Sequence, residues 1–141
     1  MSEFSISCTE FQDSEEIPNK FGYKFENEAP NISFNRPPPS TTTFALIMDD
    51  PDAMVAVGKV WVHWLQYHNL TESLPVEGKT DFGEMKYGGP APPEGQHTYI
   101  FKGYALDTEL DLKEGYSKQE LEEAMKGHIL AESKLTGTFG S

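Results

Sequence analysis

Three short stretches of this 141-residue chain carry side chains that can hold or exchange a proton near neutral pH. "DDPDAM" places Asp49, Asp50 and Asp52 at the end of an apolar run, "VWVHW" sets His63 among large apolar groups, and "GQHTY" spaces His97 two residues before Tyr99. Imidazoles and a phenol can donate hydrogen bonds to phosphoryl oxygens, while a carboxylate can fix a histidine tautomer or accept from an ammonium. If the three stretches converge, Asp50, Asp52, His63, His97 and Tyr99 form a small pocket, walled by Trp61 and prolines, suited to an anionic head group. Donation by an imidazolium there predicts affinity that falls as pH rises through the histidine range near 6.5. Taken singly, each stretch also has an ordinary reading: an acidic turn, a hydrogen-bonded core histidine, and a plain β-connection.

The elements that must position these groups read as strands. Runs rich in β-branched and aromatic residues occur at Phe44–Met48, Val60–Tyr67 and Tyr99–Leu106, separated by Pro- and Gly-rich turns. Strand alternation puts Trp61, His63, Leu65 and Tyr67 on one face and Val60, Val62, Trp64 and Gln66 on the other. The segment Asn27–Thr43 is rich in proline and hydroxyls and reads as an extended surface loop. One helix is expected in "YSKQELEEAMKGHILAES", with Ser117 and Glu120 at capping-box spacing and Leu121, Ala124, Met125, His128 and Leu130 or Ala131 recurring near helical spacing. "KLTGTFG" reads as a short last strand. The expected fold is mostly β, an antiparallel sandwich with one or two short helices, in a single domain spanning residues 1–141.

Composition narrows the function. The formal net charge is -12 and the sequence pI about 4.6, so a nucleic-acid partner or an anionic membrane surface is disfavoured. One anion held by directed N–H groups stays compatible with that charge. Cys8 is the single cysteine, which excludes an internal disulfide and reads as an inert thiol. The opening "MSEFSISCTEF" lacks a basic start and an apolar run. No export signal and no membrane span are expected, and the cytoplasm is the expected compartment.

Together, "DDPDAM", "VWVHWLQYHNL" and "YGGPAPPEGQHTYIFKGYALD", with the ending "LEEAMKGHILAESKLTGTFG", closely resemble the phosphatidylethanolamine-binding protein family, in its short bacterial and archaeal Raf-kinase-inhibitor-like branch. The resemblance spans roughly Ile17 to Gly140. It implies a β-sandwich with a small anion pocket for phosphate-like groups, including the phosphoethanolamine head group. Mapped motif by motif, that pocket uses Asp50, Asp52, Trp61, His63, Ala91, Pro93, His97 and Tyr99, with no cofactor and no bound metal. It also implies regulation of a kinase or inhibition of a serine protease rather than catalysis, and a homodimer among the assemblies. Three departures stand out: Met54 where the family commonly has Pro, Thr98 where it commonly has Arg, and "ISFNRPPP" in place of a Ser-Pro-Pro-Leu-like run. Losing that Arg is expected to leave a nearby carboxylate without its partner. The chain's early ending, without the C-terminal helix of longer animal members, is expected to leave the pocket more open.

Two other classes compete. Asp50, Asp52, His63 and His97 include the ligand types of a two-histidine, one-carboxylate metal site, which would make the chain a metal-dependent hydrolase. No element carries two histidines at ligand spacing, however, and neither Ser73 nor Cys8 lies near the motifs in sequence. The other alternative is a structural protein with a vestigial pocket. Protease inhibition would use an exposed stiff loop, Arg36–Ser40 or Ala91–Gly95. His68 and His128 are assigned to structure.

Overall fold

The computed structural model describes residues 3–140. Eight strands, β1 (Ser5–Cys8), β2 (Glu15–Glu16), β3 (Ile32–Asn35), β4 (Thr43–Asp50), β5 (Trp61–Asn69), β6 (Val76–Glu77), β7 (Gln96–Leu106) and β8 (Ile129–Gly140), are joined by two short helices, α1 (Ala53–Val57) and α2 (Lys118–Met125). Six strands form one sheet in the order β2-β8-β7-β4-β5-β6, and β1 pairs with β3 in a separate two-stranded sheet. The chain is therefore mostly β with two helices, as the turn-rich sequence implies.

Central strand β4, "TFALIMDD", has apolar residues in succession because both of its faces are covered. Leu46 and Met48 enter a cluster with Ile6 of β1 and Phe101 of β7, while Ala45 and Ile47 enter another with Leu121 and Met125 of α2. Each Leu, Ile, Met or Phe side chain among them contributes about 1.5–3 kcal/mol by leaving water. The small sheet lies close upon the large one: Ile6 N–H donates to Ser133 Oγ at 3.1 Å, and a β-carbon on Gly103 would overlap Ile6.

Several expectations change. Strand β8 begins at Ile129, not at the short tail segment, and pairs with β7 along its whole length. The helix closes at Met125 because the chain leaves helical geometry at Lys126 and Gly127 turns left-handed at φ 83°. Consequently Leu130 and Ala131 belong to a strand, and His128 lies off the helix, its Nδ1 2.9 Å from Asp107 Oδ1. The capping box does form, with Ser117 and Glu120 bonding reciprocally. The large sheet is not wholly antiparallel, since β2 runs parallel to β8. That contact is held by Ile17 N–H to Thr138 O at 2.7 Å and Thr136 N–H to Asp13 Oδ1 at 2.7 Å.

The alternation read for β5 holds only in part. Met48 pairs with Trp64 but Asp49 with Val62, so His63 is one residue extra, a β-bulge. Past it the faces exchange. Val62 and Leu65 share the α2-side cluster, and Trp64 points to the opposite one. Leu65 and Tyr67 therefore do not share a face with His63. Among the described residues, no helix is long and apolar enough to cross a membrane.

Candidate functional site

Strand β4 delivers three carboxylates to its end, and each has a different task. Asp49 is buried beneath Lys102 Nζ at 3.3 Å and Lys118 Nζ at 3.0 Å, on the face covered by α2. Asp50 is equally buried. Its Oδ1 accepts the Asp52 N–H at 2.9 Å, tightening the turn, and its Oδ2 takes His97 Nδ1–H at 2.7 Å. Asp52 reaches across to the start of β7, where Oδ2 accepts the Thr98 N–H at 2.8 Å.

Seven of the eight candidate residues, Asp50, Trp61, His63, Ala91, Pro93, His97 and Tyr99, line a single cavity of about 230 Å³. Asp52 does not line it; its carboxylate is spent on the β7 backbone. That partner is a main-chain N–H, so this bond does not depend on the side chain at position 98. Met54 is exposed and lies outside the lining. Ala53 and Val57, from the same turn of α1, form that wall together with Phe82. These three carried no chemistry-bearing type. The one signal for α1 was Gly58, which caps it in the left-handed conformation at φ 78°.

The bulge aims His63 at Tyr99, their rings 5.1 Å apart and edge to face. His63 Nδ1 lies 2.6 Å from Gly88 O. A carbonyl only accepts, so Nδ1 carries the proton and the lone pair of the neutral ring is on Nε2. Burial holds the His63 pKa below the ordinary 6.5 against the opposing pull of that carbonyl and of Asp50. Burial thus favours the neutral ring of His63. The Tyr99 hydroxyl is fully buried without a hydrogen bond of good geometry, although Asp50 and the Ala91 backbone lie beside it. Burial first, and Asp50 second, push its pKa up, so it stays a phenol. Among the described residues, no Lys or Arg lines the cavity.

Among the described residues, no three His, Cys, Asp or Glu side chains group so as to hold a metal ion. Of the other histidines, His68 sits near the end of β5 with Nε2 2.8 Å from Glu72 O, and Cys8 is buried in the core.

The family model for phosphatidylethanolamine-binding protein matches residues 7–140. The chain belongs to that family. A UPF0098 protein of Methanothermobacter thermautotrophicus is 41% identical over 92% of this chain and 93% of its own length. One from Chlamydia muridarum is 40% identical over 87% of this chain and 89% of its own. Among solved structures, a phosphatidylethanolamine-binding protein homologue from Chlamydia trachomatis superposes with a TM-score of 0.89 at 32% identity, over 100% of this chain and 99% of that one. E. coli YbcL, described as a member of the mammalian family, shares the fold with a TM-score of 0.87 at 24% identity over 99% of both chains.

Proposed function

We propose that this family member is a binding protein that takes a phosphate-like or phosphorylated head group into the cavity between β4, β5 and β7. The observation that carries this reading is the pairing of buried polar groups with apolar walls. Asp50, His63, His97 and Tyr99 converge at the floor, and Trp61, Phe82, Pro93 and Val57 surround them. A small concave site of that build orients one polar group and shields the rest of the ligand from water. Binding is favoured over catalysis by the same lining, which includes no Ser, Thr or Cys beside a histidine to act as nucleophile. Regulation of a kinase or of a serine protease would follow from occupancy or from an exposed loop. Arg36–Ser40 is largely exposed and lies before the start of β4, at the end of that strand away from the cavity.

The test is a titration of labelled protein with phosphoethanolamine and inorganic phosphate, read at Trp61, His63, His97 and Tyr99 by NMR. Saturable shifts confined to these residues, abolished in His97→Ala with the remaining spectrum intact, are expected. No shift up to millimolar ligand would overturn the reading.

A further inference from the structure

His63 is held by one residue on two sides. Gly88 N–H donates to the His63 backbone carbonyl at 2.9 Å, and Gly88 O accepts from His63 Nδ1 at 2.6 Å. The ring can keep this partner only while the backbone around Gly88 stays in place. Its neighbours are fixed by Asn27, whose Oδ1 accepts the Gly89 N–H at 2.7 Å and whose Nδ2 reaches Tyr87 O at 3.4 Å. Asn27 does this from a left-handed backbone, φ 52°, which Asn tolerates better than most residues. The surrounding loop is pressed flat: Tyr87 Oη donates to Phe21 O at 2.8 Å, and a β-carbon on Gly89 would overlap that same carbonyl.

With Nδ1 donating to Gly88 O and the Gly89 carbonyl beside the ring as well, Nε2 is the ring nitrogen assigned to the cavity that His63 lines. The charged and titratable groups facing it are Asp50 from β4 and His97 and Tyr99 from β7, with Asp49 on the far side of the sheet. Asp50 is already engaged at both oxygens. The floor therefore presents an acceptor at His63 beside a carboxylate, a poor setting for two negative charges and a good one for a donated hydrogen.

We propose that Asn27, acting through Gly88, fixes His63 as a hydrogen-bond acceptor, so that the cavity selects a singly protonated phosphoryl group through its P–OH rather than the dianion. This rests on the cavity being the ligand site, and it adds which ionic form is taken and which residue outside the lining decides it. A phosphate monoester loses its second proton near pH 6, so the selected form prevails on the acid side of neutrality. Asn27 touches no ligand in this account; it is a positioning residue.

Two measurements decide it. The first needs no ligand: the ¹⁵N signals of the neutral His63 ring in the wild type, read at about pH 7–8, above the ordinary histidine range, should show Nδ1 protonated and Nε2 bare. Asn27→Gly keeps the left-handed backbone and removes both side-chain contacts, and should give a mixed tautomer. Asn27→Asp restores an acceptor for Gly89 and should return the wild-type pattern. A residue that merely stabilised the loop would lower the melting temperature and leave the tautomer unchanged. The second compares methyl phosphate with methyl sulfate at pH 5.5, both singly charged and differing by one hydrogen. Methyl phosphate should bind about tenfold tighter, the worth of one hydrogen bond, and lose that margin in Asn27→Gly. Equal affinities, or a wild-type His63 protonated at Nε2, would overturn the inference. If neither ester binds, the cavity reading fails and the ionic selection with it, while the ring signals still decide whether Asn27 sets the tautomer.

Discussion

Asp50 Oδ2 and His97 Nδ1 stand 2.7 Å apart across adjacent strands, and both side chains are almost fully withdrawn from water. The contact is fixed from beneath by sheet register, since Asp49 pairs with Ile100 and brings the end of β4 beside the start of β7. One carboxylate thus orients the imidazole and closes the 50–52 turn.

Removing that carboxylate should cost more than one hydrogen bond, because both of its partners are left unsatisfied. Asp50→Ala is expected to lower stability by about 3 kcal/mol, read as the shift in the urea midpoint. Asp50→Asn can still accept at one position and should lose less. Identical midpoints for wild type and Asp50→Ala would contradict the role given to this pair.

Acid should weaken the fold partly through His63. Its folded pKa lies below 6.5 because of burial, while in the unfolded chain it sits near the ordinary value. Below that value the unfolded chain binds a proton that the folded chain refuses, so stability falls as pH drops from 6.5 toward the folded pKa. His63→Asn retains an N–H that can reach Gly88 O and cannot titrate. Its stability should decline less between pH 7 and 5.5 than that of the wild type, in matched denaturant curves.

Asp49 has two lysines, and either can serve. Lys102→Ala and Lys118→Ala should each cost less than about 1 kcal/mol, as half-exposed ion pairs do. The double variant strands a buried carboxylate and should cost roughly 3 kcal/mol, well above the sum. Additive losses in a thermal melt would mean that the two contacts are independent.

Gly103 marks where the small sheet rests on the large one. Gly103→Ala drives a methyl group into Ile6 and should cost about 1–3 kcal/mol. Faster amide exchange should be confined to β1 and β3 and spare β4 and β5. Uniform acceleration across the chain would argue against this placement.

Much of this was legible in the residues. β4, β5 and β7 announce themselves by runs of aromatic and β-branched residues between Pro–Gly turns, and Ser117 with Glu120 announces the start of α2. The bulge at His63 was hidden, because a bulge is decided by the register of the partner strand and leaves no mark in the bulged sequence. α1 was hidden by its length: five residues inside a turn give no periodicity. Leu130 and Ala131 imitate a helical stripe, and only the left-handed backbone at Gly127 shows that the helix has ended. In the site, Asp50, His63, His97 and Tyr99 were marked by their chemistry. Nothing in the sequence separated a carboxylate that lines the cavity from Asp52, which holds a backbone N–H.

The large sheet ends on both sides in a strand of two residues, β2 at one edge and β6 at the other. A free strand edge is a template on which a foreign or sister chain can add by main-chain hydrogen bonds, the first step toward fibrils and swapped assemblies. Here β2 covers the outer edge of β8 only at Gly137 and Thr138, so among the described residues the stretch of β8 from Ile129 to Leu135 has no partner strand on that side of the large sheet. The same topology that aligns Asp50 with His97 thus leaves that stretch of β8 as the border on which a neighbouring strand has main-chain groups to meet.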